Sequence, residues 1–104
     1  MRRSLALLVL LLCSHANIAE AASIARGRAY ARSHCARCHS IDRKTTSPFA
    51  LAPPFRILHE RYPVENLEEA LAEGIVTGHP AMPEFRLEPD QISDFIAFLK
   101  SLER

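Results

Sequence analysis

The 104-residue chain has no tryptophan, three glycines, three cysteines and almost no net charge, with 13 Lys/Arg set against 12 Asp/Glu. Each shortage excludes something. So few glycines beside seven prolines rule out a collagen-like or flexible-linker chain. A formal charge of +1 argues against a protein that coats nucleic acid. No paired carboxylates, nucleophile elbow or phosphate-binding loop occurs at meaningful spacing, so an independent enzymatic activity is not expected. The length leaves room for one small domain. Apolar residues at 48% and charged residues at 24% are globular proportions rather than disordered ones. Five Phe and two Tyr must supply the bulky packing, and so small a core generally needs a staple such as a disulfide, a metal or a cofactor.

A membrane-spanning run is also missing. The longest apolar stretch, Leu5 to Leu12, falls well short of the roughly 20 residues that cross a bilayer. It follows Arg2 and Arg3, precedes Ser14 and His15, and leads to the small-x-small pattern Ala19-Glu20-Ala21. That order describes a secretory signal peptide over residues 1–21, cleaved to leave a domain over 22–104 and exporting it to the periplasm. No stable membrane insertion is expected, and Leu12 before Cys13 is too bulky for a lipoprotein site. Cleavage removes Arg2, Arg3 and Glu20, leaving a formally neutral chain, and takes Cys13 with them. Cys35 and Cys38 remain. A disulfide between them would close a tiny loop and add little stability, so their role is chemical.

No repeat or low-complexity tract divides the rest. Ser23 can cap a helix to about His34, with Ile24, Gly27 and Ala31 on one side and Tyr30 beside them. Gly27 there suggests a close helix crossing. Ser40 to Pro54 reads as an extended loop rich in Thr and Pro. A turn or two of helix fits Phe55 to Arg61, before Tyr62-Pro63 breaks it. A second clear helix opens at Glu65 or Asn66, carries Leu67, Ala70 and Leu71 as its stripe, and stops at Gly74. Two prolines keep Gly78 to Pro83 irregular. Pro89 then opens a last helix with Ile92, Phe95, Ile96, Leu99 and Leu102 at helical spacing. Nothing alternates like a strand, so the domain is expected to be all-α.

The strongest chemical signal is Cys35-Ala36-Arg37-Cys38-His39. The spacing Cys-x-x-Cys-His reads as a c-type haem attachment site. Two thiols three positions apart can reach both vinyl groups of one porphyrin, and the adjoining imidazole can then bind iron through Nε2. The other readings are a thioredoxin-like dithiol or half of a zinc site. The first is expected on a strand–helix unit, and none is seen. The second lacks further cysteines.

The domain resembles the class I cytochrome c family from roughly Ser23 to the C-terminus. The likeness rests on the attachment motif after a first helix with Gly27 and Tyr30, Met82 in a proline-rich loop, and a closing amphipathic helix. It implies a few helices wrapped around one covalently bound haem c. The first and last helices would cross, with Gly27 and Tyr30 meeting the Phe95/Leu99 face. His39 would be the proximal iron ligand, oriented by a proline carbonyl. The family's usual Gly-Pro-x-Leu corresponds to Ala52-Pro53-Pro54-Phe55 here, which makes Pro53 the expected carbonyl. Met82 would be the second axial ligand, with His79 the rival. His34 and His59 read as exposed or helix-packing residues. Arg56 and Tyr62 could meet the propionates, although plain solvation is favoured. Phe49, Phe55 and Phe85 could line the haem pocket or serve as ordinary core.

Arg26, Arg28, Arg32, Arg37, Arg43 and Lys44 surround the motif in sequence, opposed only by Asp42. Such a basic collar could steer an acidic partner or be a solvated face. The expected function is single-electron carriage, with oxidase, reductase or dehydrogenase proteins as redox partners. The chain would be a monomeric shuttle or a small haem subunit of a complex. The alternative is a haem-based ligand binder or sensor with a displaceable distal Met82.

Overall fold

The computed structural model describes residues 21–74 and 81–104. The proposed leader up to Glu20 and the rival ligand His79 lie outside the described residues. Helix α1 runs Ile24–His34, α2 runs Leu67–Glu73 and α3 runs Pro89–Ser101. Two 3-10 segments, Phe55–Glu60 and Val64–Asn66, lie between α1 and α2, and no strand occurs among the described residues.

Local chemistry sets the helix ends. Ser23 holds an extended backbone, and its hydroxyl accepts the Arg26 N–H at 3.1 Å, capping α1. At α3, Pro89 occupies the first turn, and Glu88 and Gln91 form a reciprocal capping box in which the Glu88 N–H donates to Gln91 Oε1 at 2.9 Å. Gly74 ends α2 with φ +103°, a conformation that side chains rarely tolerate. The expected Phe55 helix forms as a 3-10 segment. The second helix begins as 3-10 and becomes α-helical only at Leu67.

The stripe read from α3 is the core. Ile92, Phe95, Ile96, Leu99 and Leu102 are all buried, and Phe98 joins them at zero exposure. Helix α1 crosses α3 at Gly27, where an added Cβ would lie 2.1 Å from the Asp94 carbonyl oxygen. Ala31, fully buried one turn on, continues the contact. Tyr30 meets Phe95 edge-on at 5.9 Å between ring centroids. Ile24 departs from expectation: it is 43% exposed, because the crossing is centred one turn later, at Gly27.

The crossing is also latched. The Ser23 N–H donates to Asp94 Oδ1 at 2.7 Å, and Arg26 Nε donates to Asp94 Oδ2 at 2.8 Å. Arg26 first and the Ser23 N–H second hold the Asp94 carboxyl below its ordinary range. The extended loop from Ser40 to Pro54 is folded back by polar contacts. The Ser40 N–H donates to Ser47 Oγ at 3.0 Å, the Phe49 N–H to the Cys38 carbonyl at 3.1 Å, and the Phe55 N–H to the Ser40 carbonyl at 2.9 Å. These bonds bring Pro53 back beside the segment that follows α1.

Candidate functional site

The chain past α1 stays coiled. The Cys35 and Ala36 N–H groups both donate to the Ala31 carbonyl, and the Cys38 and His39 N–H groups to the Cys35 carbonyl, at 2.8–3.1 Å. This tight turn carries both thiols and the imidazole to one cavity of about 560 Å³, a size typical of cofactor sites. Cys35, Cys38, His39, Pro53 and Met82 all line it. Their neighbours on the wall are largely apolar: Tyr30, Phe55, Leu58, Leu71, Phe85 and Phe95. Met82 comes from the turn before α3, a separate chain segment from the cysteines.

The imidazole is fixed by one bond. His39 Nδ1 lies 2.8 Å from the Pro53 carbonyl oxygen. A carbonyl can only accept, so Nδ1 carries the proton, and the Nε2 lone pair of the neutral ring is free to bind a metal. Phe55 tilts against the same ring at 4.8 Å between centroids. The thiols are free rather than bridged. Burial pushes the Cys35 thiol up to about 12, which keeps it protonated at neutral pH. A nucleophilic dithiol needs the opposite shift.

The other residues sort themselves by contact. Phe55 is both core and cavity wall, Phe85 is half-buried on the wall, and Phe49 lies 40% exposed at its edge. Leu51, 68% exposed and not singled out by the sequence, lines the cavity with it. Tyr62 is half-buried on the wall, and burial raises its hydroxyl pKa. His34 is exposed and stacks on Tyr30 at 4.2 Å. His59 is half-buried away from the cavity, its Nδ1 without a hydrogen-bond partner.

Two expectations are corrected. Arg56 is not simply solvated: its Nη1 donates to the Thr45 carbonyl at 2.7 Å and reaches Ser40 Oγ at 3.3 Å, tying the extended loop together. The basic collar does not surround the cavity either. Of its six residues only Arg37 lines it, while Arg26 is held by Asp94. At about 100° per residue, Arg28 and Arg32 point to the side of α1 opposite Tyr30 and His34. A second signal was missed in the sequence: the loop carrying Met82 is anchored to the end of α2. The Leu87 N–H donates to the Leu71 carbonyl at 2.9 Å, and Arg86 Nη2 to the Glu73 carbonyl at 2.9 Å. No spacing rule links these residues, because the bonds end on backbone.

An apolar cavity lined by two thiols, an oriented imidazole and a thioether fits a covalently held haem on a small helical frame. The family model for cytochrome c matches residues 24–103, and the chain belongs to that family. It is a haem electron-transfer protein, and its cofactor is covalently bound haem c with iron. Comparison with curated proteins and with solved structures gives no significant match. Among the described residues, no group of three or more His, Cys, Asp or Glu could hold a further metal ion, and no helix is long and apolar enough to cross a membrane.

Proposed function

We propose that the chain is a periplasmic single-electron carrier, with Cys35 and Cys38 joined to one haem and with His39 and Met82 as its axial ligands. The carrying observation is the His39–Pro53 bond inside the cavity that also receives both cysteines and Met82. When bound, haem c supplies a one-electron Fe(II)/Fe(III) couple.

The chain's own residues do the rest. The Pro53 carbonyl accepts a hydrogen bond from Nδ1–H, which fixes the ring's tautomer and increases the basicity of Nε2. Met82 offers a soft thioether, a donor that raises the potential relative to a second imidazole. The Phe55, Leu58, Leu71 and Phe95 walls exclude water, which favours the less charged reduced state. Haem iron held by both His39 and Met82 would have no open position for a substrate and would exchange electrons at the cavity edge. Oxidase, reductase or dehydrogenase proteins are the partners such a carrier serves, and the leader over residues 1–21 delivers it to them.

Met82→Ala tests the assignment. The variant should keep its covalent haem and acquire a carbon monoxide-responsive reduced spectrum, while the wild type remains low-spin and unaffected by carbon monoxide. An unaltered spectrum in the variant would place the second ligand elsewhere. A wild type that binds carbon monoxide readily would favour the sensor reading.

A further inference from the structure

Between α1, the loop after His39 and the end of α3, a second cavity of about 570 Å³ shares no lining residue with the first. Volume does not separate the two; their walls do. The floor here is Ile41, Phe98 and Leu102, and the rim is Arg28, Arg32, Arg43 and Lys44.

The fold holds two of these cations at the mouth. The Arg28 guanidinium sits 5.6 Å from the centre of the Phe98 ring. Arg43 Nη2 donates to the Ser101 carbonyl at the end of α3. Among the described residues, no hydrogen bond or ion pair occupies the side chain of Arg32 or Lys44. The single carboxylate, Asp42, is turned into its own loop. It accepts the Lys44 N–H and the Thr45 N–H at 2.7 Å and the Thr45 hydroxyl at 2.8 Å. Four cations thus face one engaged anion in a chain whose total formal charge is +1. Arg28 and Arg32, four apart on one helix, repel each other, so the cluster does not stabilise the helix. What it supplies is an apolar seat inside a positive rim.

We propose that this cavity is the docking site for an acidic segment of a partner protein, one apolar side chain seated against Ile41 and flanking carboxylates met by Arg28, Arg32, Arg43 and Lys44. Charge complementarity is the ground for that occupant. The cavity accepts a few side chains rather than a whole helix. A partner held here leaves the haem cavity uncovered, as a haem subunit anchored in a larger assembly requires. The site stands independently of the axial-ligand assignment.

The test is an NMR titration of the reduced, haem-loaded protein with the capped hexapeptide Glu-Glu-Leu-Glu-Glu-Leu. Saturable shifts are expected at residues 28, 32, 41, 43, 44 and 98, weakening as salt rises. The double variant R32E/K44E should lose about tenfold or more in affinity, and R37E/R61E, on the haem cavity, less than about twofold. Shifts at Arg37, Phe49 or Arg61 instead, or no saturable binding, would overturn the proposal. So would indifference to the peptide combined with R32E/K44E-sensitive binding to phosphatidylglycerol vesicles, which would make the surface a membrane contact. The visible spectrum of each sample reports separately whether the haem site is intact.

Discussion

Replacing Gly27 with alanine should destabilise the fold by about 2 kcal/mol, a size that follows from the helix crossing. A Cβ there would lie 2.1 Å from the Asp94 carbonyl oxygen, 2.7 Å from its carbonyl carbon and 2.7 Å from Phe98 Cβ. All three atoms belong to the backbone of α3 or to the root of a side chain, so no rotamer change removes the clash. Restoring ordinary contact separates the helices by roughly 1 Å, which a close-packed interior resists. That movement stretches the Ser23–Asp94 and Arg26–Asp94 bonds and opens space around Ala31 and Leu99, both at zero exposure. Overpacking costs about 1–3 kcal/mol, and contact with backbone places this case at or beyond the upper end. Alanine recovers about 1 kcal/mol of helix propensity. The balance corresponds to a melting temperature lower by about 8–16 °C for a domain of this size. Urea unfolding of the haem-loaded protein, followed by far-UV circular dichroism, should show an earlier midpoint with an unchanged slope. A midpoint equal to or above the wild type would refute the close-crossing argument.

Asp94→Asn keeps the shape of the latch but removes its charge, and should cost about 1–2 kcal/mol. The folded carboxyl titrates below its unfolded value. Its contribution is therefore complete above about pH 4 and is lost as pH falls through the depressed folded value. Unfolding midpoints measured from pH 6 to 2 should fall less steeply for the variant, and parallel curves would contradict the linkage. Gly74→Ala places a side chain at φ +103° and a Cβ 2.2 Å from Glu84 Oε1. Because the Glu84 carboxylate can swing aside, the cost is chiefly backbone, about 1 kcal/mol or more. Adding Glu84→Ala should therefore restore little of the lost stability in the same urea assay; full recovery would assign the cost to the collision. A chain lacking residues 2–21 should accumulate without covalent haem, and a loaded product on a denaturing gel would speak against the export reading.

Helical periodicity made α3 readable, because its apolar residues recur at the spacing of one buried face. Gly27 and the Cys-x-x-Cys-His spacing were equally legible, since each reflects a local geometric demand. Pro53 could be named as the imidazole's acceptor only through the family likeness. Its approach to His39 depends on a loop folded by Ser40, Ser47 and Arg56. Those contacts, like the Asp94 latch and the anchoring of Arg86, join residues far apart in sequence and often end on backbone, where residue type leaves no mark. The basic residues misled for a related reason. Proximity in sequence suggested a single collar, but Arg28, Arg32, Arg43 and Lys44 line a separate cavity, and rotation along α1 sets Arg28 and Arg32 opposite Tyr30 and His34.

The most direct test is the intact mass of the exported protein under denaturing conditions, with absorbance recorded on the same eluting peak. Covalent attachment through Cys35 and Cys38 predicts residues 22–104 plus one haem, eluting together as a single coloured species. A peak with the mass of the bare polypeptide, and with visible absorbance absent or running separately, would contradict it.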